Sequence, residues 1–290
     1  MQFILSRTYR HRVLRALAAS IGILLVLHSL PIVHAAIITN GDVSPGPMGT
    51  QPDPWNAGLL AVGISGNGSL IVNNGSVLNT TTSFVALNNG SAASFLFSGP
   101  GTTWNNISTL SVGDSGIATA VIEDGALVDI GSTVIMGNNT AGTTVLIGST
   151  NSSNPATLRV GTNLYLGGNS AGPNGGTAAV TVATGGLLQT LGQTYIYTGS
   201  SIDPGPGGLT SSGIQLNGGK LTSTSPLSTL NLDNTGDITG SGTIDVNVYM
   251  GANGLIDGGS GEALMIDGTI AGSGTIQGAV LGGNIGVGDP

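Results

Sequence analysis

Short apolar runs separated by polar turns recur along most of the chain. Runs rich in Val, Ile and Leu, such as Ser69–Val72 and Thr119–Ile122, alternate with the Gly, Asn and Asp residues that are typical of turns. The stretch Leu60–Ser98 returns fifty positions later, where Gly63, for example, is answered by Gly113. A unit of this length cannot bury its apolar face alone. The pattern therefore predicts an all-β solenoid in which successive units stack.

The changing pattern divides the sequence into four segments. We expect residues 1–35 to be a signal peptide and residues 36–58, which hold four prolines, to be a Pro/Gly-rich lead-in or cap. Residues 59–200 carry the repeats of about fifty residues, each expected to make two turns, with an insertion around Gly172–Gly176. Residues 201–290 carry shorter solenoid coils with GSGTI repeats, in which Thr239–Ile244 is echoed 32 positions later by Ala271–Ile276.

Side chains of the apolar runs are expected to fill a narrow core. With layers about 4.8 Å apart, the chain after Leu59 predicts about ten turns. We predict that the Val, Ile and Leu residues of each run point inward, and name nine of them: Leu70, Val72, Val121, Val145, Ile147, Val180, Val182, Ile244 and Ile276.

The N-terminus has the features of an export signal. Basic residues are followed by the apolar stretch Ile21–Leu27, and the segment ends in the small-residue sequence Val33–Ala35. We expect an N-terminal signal helix cleaved after Ala35, and hence a secreted or cell-surface protein. The alternative is an uncleaved anchor, because Ile21–Ile38 is about long enough to span a bilayer.

Composition excludes several classes of protein. With 51 glycines and abundant β-branched residues, most of the chain is unsuited to helix. Residues 36–290 hold two basic and 14 acidic side chains, a formal charge of −12 that disfavours nucleic acid and anionic membranes as partners. We expect membrane contact only through the N-terminal signal segment. All three histidines lie in residues 1–35 and cysteine is absent from the sequence, which removes zinc sites and nucleophilic systems built on these residues.

The segment Gly99–Ile147, which runs from GPGTTW to TTVLI, resembles the glycine-rich repeat shared by autotransporter passenger regions and exported bacterial proteins with a PEP-CTERM sorting tail. The likeness covers about half the chain, from Leu59 to roughly Ser200. It implies a right-handed parallel β-helix displayed outside the cell. The sequence as it stands holds neither a membrane-barrel domain nor a Val-Pro-Glu-Pro tag, so we expect no anchoring of that kind from it.

Parallel β-helices also include polysaccharide lyases and hydrolases, which use clustered carboxylates. The candidates here are Glu123, Asp124 and Asp129, but Asp124 occupies a turn position equivalent to Asn74 in the preceding repeat. Arg159 and Lys220, the basic residues that could support such chemistry, have no acidic neighbour in sequence. We therefore favour turn residues over an active site.

Two further readings involve ligands. Gly258–Ile266 is similar to a calcium-binding nonapeptide but has Ala263 where the ligand Asp belongs, so solvated turn residues are the favoured interpretation. Trp104 suits either a sugar-stacking platform or packing between coils, and packing is favoured. Trp55 is expected to cover the first turn. We assign no catalytic, cofactor-binding or metal-binding residue and expect no cofactor.

These observations predict an exported, non-enzymatic β-solenoid of a bacterial surface or matrix protein. Its extended face would serve adhesion to cell-surface glycans or matrix, or self-association. The alternative is a carbohydrate-active β-helix, a polysaccharide lyase or hydrolase.

Overall fold

The structure is a computed structural model that describes residues 35–139, 142–149, 154–222, 229–232, 236–260, 263–282 and 284–286. The predicted signal peptide lies outside these residues except for its last residue, Ala35. Among the described residues are 32 β-strands. In chain order they are β1 (Ala36–Gly41), β2 (Val43–Ser44), β3 (Gly49–Gln51), β4 (Trp55–Val62), β5 (Asn67–Asn73), β6 (Val77–Val85), β7 (Ala92–Ser98), β8 (Thr103–Asn106), β9 (Leu110–Val112), β10 (Ile117–Glu123), β11 (Leu127–Ile130), β12 (Val134–Met136), β13 (Thr143–Ile147), β14 (Ala156–Val160), β15 (Leu164–Leu166), β16 (Gly168–Asn169), β17 (Gly172–Pro173), β18 (Ala178–Val182), β19 (Gly186–Thr190), β20 (Gln193–Tyr197), β21 (Ser201–Asp203), β22 (Gly208–Thr210), β23 (Gly213–Thr222), β24 (Thr229–Asn231), β25 (Asp237–Asp245), β26 (Asn247–Met250), β27 (Leu255–Asp257), β28 (Leu264–Ile266), β29 (Thr269–Gly272), β30 (Thr275–Gln277), β31 (Val280–Leu281) and β32 (Asn284–Gly286).

The strands wind into a parallel β-solenoid of about nine turns. Each turn contributes one strand to each of three stacks, which we call faces A, B and C in the order in which the chain passes through them from β5 onwards. Long strands such as β6, β23 and β25 bend round a corner and belong to two faces.

Face A contains β5, β7, β10, β13, β18, β21, the second halves of β23 and β25, β28 and β31. Face B runs from the first halves of β4 and β6 through β8, β11, β14, β19 and β22. Strands β24, β26, β29 and β32 hold the same place in the later turns. Face C runs from the second halves of β4 and β6 through β9, β12, β15, β20, the first halves of β23 and β25, β27 and β30.

The register between turns explains the repeat in the sequence. Ser69 is paired with Ser94, Ser94 with Thr119 and Thr119 with Thr144, so one turn takes 25 residues and the fifty-residue unit is two turns, as predicted. The echo of GSGTI has a different origin. Ile244 is paired with Ile266 on face A, whereas Ile276 is paired with Ile256 on face C. The 32-residue interval is therefore not a turn of the solenoid.

The interior is a continuous channel of aliphatic side chains. Seven of the nine predicted inward residues are buried: Leu70, Val72, Val145, Ile147, Val180, Val182 and Ile244. The prediction for Val121 was wrong, because its neighbours Ala120 and Ile122 point inward and Val121 lies on the outside of the strand. Ile276 is only partly buried and packs against the end of the channel.

Antiparallel strands cover the first turn. β1 lies against β5 over six residue pairs, and β2 is paired with the end of β4. Asp42 lies between β1 and β2 in the chain. One of its carboxylate oxygens accepts hydrogen bonds from the backbone N–H groups of Ser65 (2.6 Å) and Gly66 (2.9 Å). These two hydrogen bonds hold the pKa of Asp42 below its usual range.

The insertion predicted around Gly172–Gly176 includes a small hairpin of β16 and β17 between faces C and A. The hydroxyl of Tyr197 donates a 3.0 Å hydrogen bond to the carbonyl of Asn169 beneath it. Within the described ranges, no helix has the length and apolar character needed to cross a membrane.

Candidate functional site: the outer side of face A

Outward side chains of face A form two rows that run along the solenoid. The hydroxyl row consists of Ser69, Ser94, Thr119 and Thr144, one from each successive turn. The aliphatic row lies two residues further along the same strands and consists of Ile71, Leu96, Val121 and Leu146. Ile38 of the antiparallel strand β1, which is paired with Ile71, extends it to five members. All five aliphatic side chains are half-buried, because each is covered in part by its neighbours above and below. We call the two rows together with Ile117 the face A patch.

The aliphatic row arises from runs of three apolar residues. In β7 the run is Phe95, Leu96 and Phe97, of which the first and last point inward because side chains alternate along a strand. The middle residue must therefore point outward. The same happens in β5, β10 and β13, so every middle residue of four successive turns meets its equivalents. Strand β18 ends the row, because Thr181 is paired with Leu146.

Sequence reasoning missed this patch because it assigned every apolar residue of each run to the core. The signal in the sequence was that each run has three consecutive apolar residues. In a strand with one solvated face the side chains alternate, so only two of three consecutive residues point inward. Val121 shows the error directly, because it was predicted to be inward and lies in the aliphatic row.

The face A patch is almost free of charge. In the described strands β1, β5, β7, β10, β13 and β18, Glu123 is the sole ionisable side chain and lies at the end of β10. At the opposite end of these strands, Ile117 is 58% exposed beside a shallow depression. The depression is also lined by small and polar residues, including Asn40, Asn67 and Ala92. The patch is therefore flat, uncharged and partly apolar.

The three candidate carboxylates lie on different parts of the turn: Glu123 at the end of β10, Asp124 directly after it and Asp129 in β11. Asp124 lies at the corner between faces A and B with a φ of 51°, followed by Gly125 with a φ of 83°. Asn74, one repeat earlier, has nearly the same φ, 53°. Both glycine and Asn/Asp tolerate this left-handed conformation, so the turn interpretation of Asp124 is confirmed. The amide of Asn154 also donates a 3.3 Å hydrogen bond to the Asp124 carboxylate.

Asp129 has a partner that the sequence did not reveal. Arg159, one turn later on face B, donates a hydrogen bond of 3.1 Å from Nη1 to Oδ2 of Asp129. Arg159 has no acidic neighbour in sequence, but residues thirty positions apart become neighbours when the turns stack, and this brings Asp129 beside it. Lys220, in contrast, is exposed on face A between Ser201 and Thr243 of the adjoining turns.

The Asp129–Arg159 ion pair continues a row of amides on face B. The side-chain amide of Asn79 donates to Asn56, and that of Asn105 donates to Asn79, each at 2.9 Å. Asp129 is next in register after Asn105. The ion pair lies in the lining of a shallow groove whose other lining residues include Ile107, Leu191, Gly131 and Gly161.

Trp104 packs inside the solenoid. It is fully buried, stacks on Phe97 with ring centroids 5.0 Å apart, and meets Phe95 edge-to-face. A sugar-stacking role for Trp104 is therefore excluded. Trp55 is also buried and is paired with Leu78 in the first turn.

The predicted nonapeptide-like segment contains residues 261–262, which lie outside the described part. Asp257, just before it, accepts hydrogen bonds from the N–H of Gly259 (2.8 Å) and the amide of Gln277 (3.0 Å), and these lower its pKa. Among the residues that the structure describes, no three His, Cys, Asp or Glu side chains are grouped as a metal site would require.

The fold places the chain among all-β solenoids with parallel strands. Comparison with protein-family models, curated proteins and solved structures gives no match for the chain.

Proposed function

We propose that this chain is an exported, non-enzymatic β-solenoid of a bacterial surface or matrix, which acts by contact along an extended face. The observation that carries this proposal is the face A patch. It gives four successive turns the same outward hydroxyl and aliphatic side chains, and Glu123 is the sole ionisable side chain in the described strands of those turns on this face. A repeated flat surface suits adhesion or self-association better than it suits the binding of one small substrate.

Export is supported by the sequence of residues 1–35 and by the resemblance of Gly99–Ile147 to autotransporter passengers and PEP-CTERM-associated repeats. The same resemblance supports right-handed winding, which is also the hand that parallel crossover connections adopt almost without exception. We propose cleavage of a signal helix after Ala35 and localisation outside the inner membrane.

The test of export is fractionation of a bacterial host that expresses the full chain, followed by N-terminal sequencing. The expected extracellular form begins at Ala36. A chain that stays in the cytoplasm with its N-terminus intact would contradict the proposal.

The test of adhesion is a binding screen of the exported form against glycans and coated surfaces, with and without calcium. Leu96→Lys, which places a charge in the aliphatic row, is expected to weaken binding. Thr157→Lys, an outward position on face B, is the matched control and is expected to bind as the wild type does. Equal binding by both variants would show that face A is not the contact surface.

A carbohydrate-active β-helix is the second candidate, and the Asp129–Arg159 pair beside the groove of Ile107 and Leu191 is the observation that favours it. A carboxylate with a cation beside it can serve proton transfer next to an anionic sugar. The test is the release of reducing or unsaturated ends from a panel of polysaccharides. Release by the wild type that is lost in Asp129→Asn, with the fold retained, would replace the first proposal with this one.

A further inference from the structure

The aliphatic row is longer than the packing of one solenoid requires. Ile38, Ile71, Leu96, Val121 and Leu146 belong to five adjacent strands, which are spaced about 4.8 Å apart. Each inward neighbour already fills the channel, so the outward side chains contribute little to the core. Branched aliphatic side chains repeated in register on a solvated face are typical of a surface that is covered by another one.

The distribution of charge indicates which partner covers the aliphatic row. Residues 36–290 have a formal charge of −12, so two copies repel each other wherever their acidic surfaces meet. The face A patch carries little of that charge, since Glu123 at its rim is the sole ionisable side chain of the six described strands that form it. With this single carboxylate at its rim, the patch offers a basic partner little electrostatic attraction.

We propose that two copies of this chain associate through their face A patches, with the two sheets packed face to face. This inference rests on the proposed function and names the partner of the same surface. A patch meeting its own equivalent forms a closed two-fold contact in which the flat aliphatic rows cover each other. Sheets packed in this way lie about 10 Å apart with their strands roughly 30° from parallel.

The size of the patch sets the strength of the contact. Five strands about 4.8 Å apart and about seven residues long define a flat area of roughly 500 Å². A stable complex commonly buries about 800 Å² on each partner, so a contact of this size is smaller than a standard interface and lies among the weak, transient ones. The dimer is therefore reversible and depends on protein concentration.

The alternative of stacking end to end is disfavoured at the N-terminal end. There, β1 is hydrogen-bonded along β5, and β2 is hydrogen-bonded to β4. A second copy that adds strands at this end has to displace both of them, whereas association through face A leaves every backbone hydrogen bond of the solenoid in place.

The experiment is analytical ultracentrifugation of the chain in its cell-processed form over a range from about 1 to 100 μM, which spans weak protein dimers. N-terminal sequencing of the same sample shows whether the signal segment has been removed. The wild type is expected to shift from monomer to dimer with rising concentration. Leu96→Lys and Val121→Lys are each expected to raise the dissociation constant roughly tenfold or more, since each buries a charge against apolar side chains.

Thr157→Lys on face B is the matched control, because it adds the same charge and reduces the net repulsion by the same amount. It is expected to dimerise at least as well as the wild type. Circular dichroism checks that every variant keeps its β-structure. A wild type that remains monomeric throughout, or a dimer that both face A variants leave unchanged, would overturn the inference. A chain that is exported and adhesive but monomeric would overturn this inference and leave the proposed function in place.

Discussion

The indole nitrogen of Trp104 donates a 2.9 Å hydrogen bond to Oγ1 of Thr80, a residue on the preceding turn. Both side chains are buried, and Thr80 also accepts from the hydroxyl of Ser83, which in turn accepts from the amide of Asn106. The network gives each buried polar group a partner within an otherwise aliphatic and aromatic core. It links two adjacent turns by side chains as well as by the backbone.

Thr80→Val is expected to destabilise the solenoid by about 1–3 kcal/mol, because the Trp104 N–H loses its acceptor in a site that water cannot reach. The measurement is the midpoint of thermal unfolding followed by circular dichroism. Thr103→Val, at a half-buried outward position nearby, is the control and is expected to change the midpoint little. Equal midpoints for Thr80→Val and the wild type would contradict the role of this hydrogen bond.

Val121 and Ile122 test which side of β10 faces the core. Ile122→Ala is expected to cost about 2–5 kcal/mol, because it leaves a cavity between stacked turns. Val121→Ala is expected to cost less than about 1 kcal/mol at low protein concentration, where the outward face is solvated. Chemical denaturation of both variants gives the comparison, and the reverse order of the two losses would show that the strand is turned the other way.

The Asp129–Arg159 ion pair is expected to contribute little to folding. The two side chains are 32% and 45% exposed, and water and salt screen such pairs. Asp129→Asn should therefore change the free energy of unfolding by less than about 1 kcal/mol, and the difference should shrink as salt is added. A large loss that is insensitive to salt would indicate that the pair does more than join two turns on the surface.

Asp42 gives a dependence on pH. Its folded-state pKa is lowered by the N–H groups of Ser65 and Gly66, so the ionised carboxylate stabilises the cap. That stabilisation is fully present above the unfolded-state pKa of about 3.9 and is lost as the pH falls through the lower folded-state pKa. Asp42→Ala should therefore unfold at a lower temperature than the wild type at pH 7.

The same comparison in acid checks the sign of the Asp42 effect. The difference between wild type and Asp42→Ala should narrow as the pH is lowered below about 4, because the unfolded-state carboxylate becomes protonated there, and it should vanish once the pH has fallen through the lower folded-state pKa. Asp53→Ala is a useful second variant, because Asp53 also accepts a backbone hydrogen bond, from Val77, in the same part of the chain. A gap for Asp42→Ala that widens in acid would contradict the assignment.

Much of the fold was predictable because it depends on local pattern. The recurrence of Gly63 at Gly113 and the apolar runs around Leu70 and Val145 predicted stacked strands and a 25-residue turn, both of which are confirmed. Asp124 was correctly assigned to a turn from its equivalence with Asn74. These features follow from alternation along single strands and from turn residues, which act over a few positions.

The face A patch could not be predicted in the same way. A run such as Ala120-Val121-Ile122 is compatible with either face pointing inward, because shifting a strand by one residue exchanges its two sides. The partner of Arg159 was also hidden, since it depends on how many residues the intervening turn contains.

The sequence by itself determined that this chain stacks short strands around an aliphatic channel, because short repeated apolar runs can bury their side chains only against one another. Only the tertiary structure decided which side of each strand is outside and which distant residues become neighbours. Those choices depend on the register between turns, and the register is set by the packing of all turns together. The aliphatic row and the Asp129–Arg159 pair are both products of that register.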